Sequence, residues 1–513
     1  MVVQKRHKAL PAKDQGEWVR GSTTARSRTP APPMASATTS APPSPPEDID
    51  ALLSTLRSHA PAVQQTTAEQ RKRKLQRLAD ALLARRDAFC DALHADFRKA
   101  PVEVDLTEIK TVTKEIEHTI AHLEDWMQPD RVGSPLLFTG TRSAIHYEPK
   151  GVVLILSPWN YPVNLTLGPL VGAIAAGNCA VLKPSEHTPN TAAVLQDLLH
   201  DLFEEREIRV LTGGPDVAQS LTRQPFDHIY FTGSPAIGRK VMKAAAEHLA
   251  SVTLELGGKS PAIVDDTADL DRAAGRIVWS KFTNAGQTCI APDYVLVEAP
   301  VHDALVDRLR DRIHQFYGAT PHAQRTSDDY ARLVHEDHYR KVLDLFSGAL
   351  DAGATVAVGG QHDAETNYVA PTVLTDVPLE APIMQKEIFG PLLPVLPFQT
   401  LDEAFRIINA RSAPLSLYLF TERESTVDRV LYQTTAGSTC VNEGFVHFVH
   451  PRLPFGGKGE SGIGRAHGVR SFREFSNERS VLRRTYGSEL LDTLYPPYGR
   501  LTSRVSDWVL RFF

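Results

Sequence analysis

The sequence has few cysteines and no long apolar run. Cys90, Cys179, Cys289 and Cys440 are the four cysteines among 513 residues, and no two of them form a CxxC pair. Disulfide frameworks and structural zinc sites both need cysteines or histidines at close spacing, so the sequence predicts neither, and we expect a reducing compartment. No apolar run reaches the roughly 20 residues of a membrane-spanning helix, which argues against an integral helical membrane protein.

A strong excess of charge of one sign is also missing. The chain has 56 Lys and Arg against 61 Asp and Glu, a formal net charge of -5. Proteins that bind the phosphate backbone of nucleic acids carry a basic surface, so a nucleic-acid partner is not expected. With 42% apolar and 23% charged residues, the composition is typical of a soluble globular protein of several domains, which we expect in the cytoplasm.

The first 46 residues contain little that could form a core. They are basic and then pass into APPMASATTSAPPSPP. So few apolar side chains cannot offset the entropy lost on ordering, which predicts a disordered tail over residues 1–46. The segment lacks the apolar stretch of a secretory signal, and its prolines argue against the amphipathic helix of an import sequence.

Short apolar runs alternate with amphipathic segments through most of the remaining chain. Residues 47–130 have a helical pattern, since Leu75, Leu78 and Leu82 recur at helix spacing among charged residues. Ten short runs rich in β-branched residues follow, at 151–158, 179–185, 208–214, 227–234, 251–258, 260–266, 294–300, 355–360, 393–398 and 415–421. This alternation predicts two α/β domains in series, each with a parallel sheet covered by helices. Enzymes built in this way commonly bind their substrate between the domains.

Residues that directly follow the first strands are candidates for a dinucleotide site, because parallel sheets bind ligands beyond their carboxyl ends. In TGSPAIG, Ser234 can cap a helix, while Gly233 and Gly238 allow close backbone approach to a phosphate. The spacing differs from GxGxxG, and a purely local turn is an equal alternative. Lys183 and Glu186 could hold ribose hydroxyls, although a solvated helix start would look the same.

Three further residues have side chains suited to chemistry on a carbonyl group. Cys289 lies in KFTNAGQTCI, a polar turn of small residues, and is either a nucleophile or an inert core thiol. Glu255, between Leu254 and Leu256, is a candidate general base if buried and an outward strand residue if not. Asn160 in SPWNYP could donate to an oxyanion, or could serve only the turn.

Together these residues match, in order and type, the motif set of the NAD(P)-dependent aldehyde dehydrogenase superfamily, which the chain resembles over residues 47–495. The separation of 34 residues between Glu255 and Cys289 (289 - 255) fits, as do the later segments EIFGP and LPFGGKGESGIGRAHG. GQTCIAP and YPPYG are most similar to the class 3 branch, which includes fatty and aromatic aldehyde oxidisers.

The resemblance implies an α/β, aldehyde dehydrogenase-like fold with a Rossmann-type cofactor domain, an α/β catalytic domain and a small bridging element for oligomerisation. The implied segments are a cofactor domain of 47–133 and 151–253, a catalytic domain of 254–435, a bridging element of 134–150 and 436–495, and a tail of 496–513. A homodimer formed through the bridging element is expected on the same ground.

The resemblance also implies a cofactor, NAD with NADP as an alternative, and the residues that hold it. Lys183 and Glu186 would contact the adenosine ribose. Gly233, Ser234 and Gly238 would lie near the pyrophosphate, and Glu387 and Phe389 at the nicotinamide ribose and ring. A carboxylate such as Glu186 facing the ribose 2'-hydroxyl disfavours a 2'-phosphate.

The implied reaction is oxidation of an aldehyde to a carboxylic acid. Cys289 would form a thiohemiacetal and then a thioester, Asn160 would bind the oxyanion, and Glu255 would activate the hydrolytic water. Tyr161 and Trp279 would line the aldehyde tunnel, which favours an apolar aliphatic or aromatic substrate. The alternatives are a cysteine hydrolase without nicotinamide and a noncatalytic scaffold.

Two remaining features concern histidines and the carboxyl end. His447 and His450 are three residues apart, but no further ligand is in view, so no metal site is predicted. Apolar residues recur at helix spacing in the last stretch, namely Leu501, Val505, Trp508, Val509, Phe512 and Phe513. Such an amphipathic helix is expected to contact either a membrane surface or the dimer itself.

Overall fold

The computed structural model describes residues 48–135, 138, 140–484 and 495–512. The predicted tail 1–46 lies outside them. The helices are α1 (Ile49–Gln64), α2 (Ala68–Ala84), α3 (Arg86–Phe97), α4 (Pro101–Val104), α5 (Lys110–Trp126), α6 (Asn164–Ala176), α7 (Pro189–Leu202), α8 (Pro215–Thr222), α9 (Pro235–Ala246), α10 (Leu270–Phe282), α11 (His302–Tyr317), α12 (Pro321–Thr326), α13 (Glu336–Asp351), α14 (Pro382–Gln385), α15 (Leu401–Asn409), α16 (Glu424–Gln433), α17 (Val469–Glu474) and α18 (Arg500–Phe512). No helix in these ranges is long and apolar enough to cross a membrane.

The strands fall into two large sheets and smaller pieces. They are β1 (Asp130–Val132), β2 (Thr141–Pro149), β3 (Val152–Leu156), β4 (Cys179–Lys183), β5 (Ile208–Val210), β6 (His228–Gly233), β7 (Ser251–Leu256), β8 (Pro261–Val264), β9 (Tyr294–Glu298), β10 (Thr355–Val358), β11 (His362–Asp363), β12 (Tyr368–Val369), β13 (Thr372–Thr375), β14 (Leu392–Phe398), β15 (Ser416–Phe420), β16 (Ser438–Val441), β17 (Gly462–Ile463) and β18 (Ser476–Arg484).

The first sheet has six strands in the order β17-β7-β6-β3-β4-β5. All its pairs are parallel except β17 with β7, where Gly462 lies opposite Glu255. Every residue of β3 and β4 is buried, as expected for parallel strands covered on both faces. The predicted α/β fold is confirmed, and each of the first five predicted runs contains one of these strands.

The second sheet has seven strands in the order β10-β13-β14-β9-β8-β15-β16. Only β10 with β13 is antiparallel. Strand β16, at one edge of this sheet, lies in the segment 436–495, which the family resemblance predicts to be part of a bridging element. A separate sheet has three strands in the order β1-β2-β18. Strand β2 lies in the segment 134–150 and β18 in the segment 436–495, so this sheet joins the two segments.

A buried ion pair holds the amino end of α6. Between α4 and α5 the chain makes a π-helical turn, Asp105–Ile109, which contains Glu108. The Glu108 carboxylate accepts hydrogen bonds from the backbone N–H groups of Val163 (3.1 Å) and Asn164 (2.8 Å), the first-turn donors that a helix cannot satisfy internally. Its other oxygen accepts from the Lys99 ammonium at 2.7 Å, and both side chains are fully buried.

Glu108→Gln tests this pair, because it leaves the Lys99 ammonium buried without its counter-ion. We expect the free energy of unfolding to fall by about 3 kcal/mol, measured as a lower midpoint of urea denaturation. The control is Glu117→Gln in the same region, whose ion pair with Lys114 at 2.6 Å is about half exposed; it should change stability by less than about 1 kcal/mol. Equal effects of the two substitutions would contradict the proposed importance of the buried pair.

Candidate active site

Cys289 lies in a tight turn that follows α10. Asn284 and Ala285 have left-handed φ angles of 57° and 52°, and Gly286 has a φ of 76°. A Cβ atom on Gly286 would come within 2.4 Å of the Gly390 carbonyl oxygen, so only glycine fits there. The small residues of the motif are therefore required by the backbone, which leaves Cys289 partly exposed.

The other three cysteines differ from Cys289 in their burial. Cys90, Cys179 and Cys440 are buried, and none of the four is in a disulfide. These three are small residues of the hydrophobic core. Cys289 is thus the only cysteine that a ligand can reach without opening the core.

Two asparagine side chains fasten the cysteine turn to the loop that follows β3. The Asn284 amide donates to the Asn160 carbonyl oxygen at 2.9 Å and to the Gln287 carbonyl oxygen at 3.1 Å. The Asn160 amide also donates to the Gln287 carbonyl oxygen, at 3.0 Å. One hydrogen of the Asn160 amide is used in this way. The second is left for another acceptor.

Tyr161 connects the buried ion pair to the residue before Cys289. Its hydroxyl is 2.6 Å from the Thr288 hydroxyl, and the Lys99 ammonium lies 3.9 Å from the centroid of its ring. A desolvated cation over an aromatic face stabilises that arrangement. Glu108, through Lys99, therefore sets both the start of α6 and the position of the Tyr161 ring.

Glu255 is buried together with Leu254 and Leu256. The alternative of an outward strand residue is therefore wrong. Strand β17 pairs with β7 so that Gly462 lies opposite Glu255, and Ala466 and His467, which follow β17, line the same cavity as Glu255. Neither carboxyl oxygen of Glu255 has a hydrogen-bond partner among the residues described. Burial raises the pKa of Glu255 well above its usual range, and the positive charge of Arg465 opposes this only in part. Such a carboxyl group exchanges a proton more readily near neutral pH than an exposed glutamate does.

Two cavities meet at Cys289 and Glu255. We call the first the strand-end cavity, because it opens where β3, β6 and β7 end. It is lined by Pro158, Trp159, Asn160, Leu165, Thr232, Gly233, Ser234, Glu255, Leu256, Gly257, Cys289, His338, Lys341, Glu387 and Phe389. Of the residues predicted to bind the cofactor, Gly233, Ser234, Glu387 and Phe389 lie in this wall.

The strand-end cavity has the features that a dinucleotide needs. Ser234 precedes α9 without using its hydroxyl as a cap, so that hydroxyl and the exposed first turn can meet a phosphate. The buried Thr232 hydroxyl has no partner in the described part of the chain. Glu387 lies against Gly257, where any Cβ atom would come within 2.2 Å of a carboxyl oxygen. The site fits a large polar ligand that approaches the backbone closely.

The remaining predicted cofactor residues lie outside that wall. A Cβ atom on Gly238 would come within 2.8 Å of the Leu256 side chain, so this glycine serves the packing of α9 on β7. Lys183, buried at the end of β4, donates to the Glu186 carboxylate at 2.6 Å. This ion pair is one strand away from the cavity, toward the edge of the sheet.

Phe389 is held in an unusual backbone conformation. Its φ angle is 51°, and its carbonyl oxygen lies 2.8 Å from Nε2 of His338. Burial lowers the pKa of His338 to about 3, so the ring is neutral and this nitrogen carries the proton. Trp159 packs edge-on against the Phe389 ring at 5.3 Å.

We call the second cavity the aromatic cavity. Its wall consists of Thr111, Glu115, Tyr161, Asn164, Leu165, Gly168, Pro169, Tyr230, Thr232, Glu255, Thr288, Cys289, Ile290, Leu415, Phe445, Phe448, Phe455, Ala466, His467 and Ser471. Tyr161 is present as predicted. Trp279 does not occur in this wall; its ring packs on Phe445 at 4.8 Å and is 38% exposed.

Several residues that line this cavity were not predicted from the sequence. Thr111 and Glu115 come from α5, and Phe445, Phe455 and His467 come from the bridging segment. Thr111, Glu115 and Phe445 belong to no local motif. Phe455 and His467 lie in LPFGGKGESGIGRAHG, whose residues were given no role from the sequence, so only the folded chain brings these side chains to one cavity with Cys289. His447, discounted as a metal ligand, interacts instead with the Ser438 and Ser416 hydroxyls at 2.9 and 3.2 Å. No cluster of three potential metal ligands occurs in the described ranges.

The Cys289 thiol is held in its protonated form. Burial, followed by the negative charges of Glu387 and Glu255, raises its pKa to about 12. A thiolate is the stronger nucleophile, so the resting protein needs a proton acceptor beside the sulfur. Glu255 shares both cavity walls with Cys289.

Comparison with known proteins agrees with this geometry. The model of the aldehyde dehydrogenase family matches residues 18–481. Aldehyde dehydrogenase family 3 member B2 of Mus musculus is 43% identical over 462 residues, 90% of this chain and 95% of the relative. The 4,4'-diaponeurosporen-aldehyde dehydrogenase of Staphylococcus aureus is 44% identical over 412 residues, 80% of this chain and 88% of the relative.

Solved structures agree as well. The substrate-bound state of Staphylococcus aureus AldH is similar with a TM-score of 0.85 and 40% identity, covering 90% of this chain and 99% of that one. The NAD+ complex of the Bacillus cereus aldehyde dehydrogenase has a TM-score of 0.78 and 29% identity, with 85% and 89% covered.

The raised thiol pKa predicts slow alkylation of Cys289 by iodoacetamide in the ligand-free protein. Because the thiolate fraction grows about tenfold for each pH unit below the pKa, the rate should rise steadily between neutral and alkaline pH without a plateau. Mass spectrometry of the modified peptide measures it, and Cys289→Ser gives the background from the buried cysteines. A rate that levels off near pH 8 would contradict the raised pKa.

Proposed function

The chain belongs to the aldehyde dehydrogenase family, and from that premise we propose that Cys289, Asn160 and Glu255 oxidise an aldehyde to a carboxylic acid. The cofactor is NAD, with NADP as the alternative. The observation that carries this proposal is the position of Cys289, partly exposed where the strand-end and aromatic cavities meet. One cavity can hold a dinucleotide while the other holds the aldehyde, so both reach the same sulfur atom.

The first chemical step is addition of the Cys289 sulfur to the aldehyde carbon. The thiol proton passes to Glu255, since the raised thiol pKa leaves little thiolate at neutral pH. The carbonyl oxygen becomes an oxyanion as the C–S bond forms. The second Asn160 amide hydrogen and the Cys289 backbone N–H are the proposed donors to it, and fixed donors of this kind are worth roughly 100-fold or more in rate.

The dinucleotide, when bound, accepts the hydride that the tetrahedral carbon releases. Ser234 and Gly233 at the start of α9 are proposed to hold its pyrophosphate, and Glu387 and Phe389 its nicotinamide half. We place the Lys183 and Glu186 pair at the adenosine ribose, with Gly238 maintaining the close packing of α9. A carboxylate at that ribose disfavours a 2'-phosphate, which favours NAD.

The second chemical step is hydrolysis of the Cys289 thioester. Glu255 first releases the thiol proton to solvent, and it is then the proposed base that takes a proton from water as the oxygen attacks the thioester carbon. The C–S bond then breaks, the carboxylic acid leaves, and the sulfur recovers a proton. The carboxyl oxygens of Glu255, which lie in the wall of both cavities and make no hydrogen bond to the residues that the structure describes, support this role.

An apolar aldehyde is the proposed substrate class. Apart from the catalytic groups, most of the aromatic cavity consists of aliphatic and aromatic side chains such as Leu165, Phe445, Phe448 and Phe455, which bind apolar chains or rings. Trp279 would act on this wall only through Phe445. The curated relative from Staphylococcus aureus is named for a long apolar aldehyde, which agrees with this choice.

We propose that the protein forms a homodimer through its bridging segments 134–150 and 436–495. Strand β16 is the last strand described on its side of the seven-stranded sheet, and a free edge of this kind can pair with a second copy. The division into a cofactor domain (47–133 and 151–253) and a catalytic domain (254–435) stays part of this proposal.

Helix α18 is the proposed element for contact between this cytoplasmic enzyme and a membrane surface. Leu501, Val505 and Trp508 are one and two turns apart, and both Leu501 and Trp508 are exposed. Arg500, Arg504 and Arg511 make the helix basic. An exposed apolar stripe with basic flanks is typical of helices that lie on anionic lipid.

The proposed chemistry predicts different defects for two variants. With NAD and a long-chain or aromatic aldehyde, Cys289→Ser should lower steady-state NADH formation by about 1000-fold or more, because no covalent adduct forms. Glu255→Gln should still release hydride in the first turnover and then stall as thioester, seen as an NADH burst in stopped-flow absorbance. Cys440→Ser, a buried cysteine, is the matched control and should retain activity.

The cysteine hydrolase and scaffold alternatives predict other results in this assay. A hydrolase would cleave esters without NAD and would not reduce it, and a scaffold would do neither. Failure to reduce NAD with every aldehyde of a broad panel would exclude the proposed oxidation. Undiminished activity of Cys289→Ser would exclude the covalent mechanism alone.

If α18 contacts a membrane, the full chain should sediment with anionic phospholipid vesicles at moderate salt several-fold more than the Trp508→Ala variant does. Tyr432→Ala is the control, since Tyr432 is 90% exposed on α16, away from α18 in the sequence. Loss of sedimentation in both variants, or in neither, would contradict binding through α18.

A further inference from the structure

Besides Glu255, one other carboxyl group occurs among the described residues of the aromatic cavity wall. Glu115 of α5 is 9% exposed, and its Oε1 accepts a hydrogen bond from the Gly468 N–H at 2.7 Å. Its Oε2 has no hydrogen-bond partner within the described part of the chain. One oxygen is thus fixed by the backbone, which orients the group. The other remains for a ligand in the cavity.

A second polar side chain in the same wall is also available. Asn164 is the first residue of α6, and α6 packs against α5. Its side-chain amide makes no hydrogen bond within the described ranges, while its backbone N–H is held by Glu108. Glu108 lies in the π-helical turn that leads directly into α5, the helix that carries Glu115. Glu115 and Asn164 are thus two hydrogen-bonding side chains in a mostly apolar wall, and we call them the Glu115 subsite.

The Glu115 subsite is separate from the reacting atoms. Cys289 and Glu255 line both cavities, whereas Glu115 lines only the aromatic cavity and is anchored there by the Gly468 N–H. A group of the substrate that meets Glu115 must then be remote from the aldehyde carbon. Its effect would be on the choice of substrate rather than on the chemistry.

We propose that Glu115 is a specificity-determining residue that binds a hydroxyl group remote from the aldehyde, so that the preferred substrates are hydroxylated aldehydes. This rests on the proposed oxidation of aldehydes. A hydroxyl both donates and accepts, so it can satisfy Glu115 and the Asn164 amide together. An unpaired polar group facing an apolar ligand loses its hydration without compensation, so plain alkanals should bind less well.

A hydroxyl suits this position better than a cation does. Burial raises the pKa of Glu115 to about 7, so near neutral pH a large share of the groups carries a proton. A protonated carboxyl donates to a hydroxyl oxygen but offers no charge to an ammonium group. Apart from Glu255 and Cys289, the other titratable side chains in this wall are Tyr161, Tyr230 and His467. They are uncharged as well, because burial raises the pKa of both tyrosines and lowers that of His467 to about 4.

The test compares ω-hydroxyalkanals with n-alkanals of equal heavy-atom number over a homologous series. We expect the ratio of their kcat/KM values to pass through a maximum of about 10-fold at the chain length that reaches Glu115. Glu115→Leu should remove the maximum and leave kcat/KM for the alkanals unchanged or higher. Glu115→Gln keeps an acceptor for the Gly468 N–H and should retain part of the preference, whereas Tyr432→Ala should retain all of it.

A second measurement does not depend on the variants. In the unmodified protein at alkaline pH, ω-methoxyalkanals should lose the preference, because an ionised Glu115 needs a donor. A flat ratio across the series, or a stronger preference for ω-ammonio aldehydes, would overturn the inference while leaving aldehyde oxidation intact. Absence of activity on every aldehyde would contradict the proposed function as well.

Discussion

The structure depends on keeping one thiol accessible inside a large core. Three consecutive residues with left-handed φ angles, Asn284, Ala285 and Gly286, turn the chain so that Cys289 faces two cavities. The Asn284 and Asn160 amides then fasten this turn to the first sheet. Because backbone in this region is strained for most residues, the surrounding hydrogen bonds are what keep the sulfur in place.

The polar groups around the turn are arranged in layers. Glu108 caps α6, holds Lys99 and through it supports Tyr161, so two charges without solvent access lie behind the candidate nucleophile. The carboxyl groups nearer to the cavities, Glu255 and Glu115, have at least one oxygen that makes no hydrogen bond to the described part of the chain. The groups that are fully bonded have positioning roles, and the groups left unbonded are those to which we assign chemistry or recognition.

The sequence contained enough information for the sheets and for residues that follow strands. Asn160, Gly233 and Cys289 each sit in a local motif whose backbone needs can be read from neighbouring glycines, prolines and small residues. The burial of Glu255 could not be read in this way, because its strand pairs with β17, which is more than 200 residues later in the chain. The position of Glu115 in the wall of the aromatic cavity, and that of Trp279 outside this wall and behind Phe445, likewise depend on packing between distant segments.

The lack of space around two glycines has a consequence for how such a protein can diverge. Gly286 is closed in by the Gly390 carbonyl and does not tolerate even a methyl group, whereas a methyl group on Gly257 would displace the Glu387 carboxylate that lies against it. Substitutions that change the substrate preference are therefore expected in the helices that line the aromatic cavity, at positions such as Thr111 and Gly168. A directed-evolution library would be most productive there.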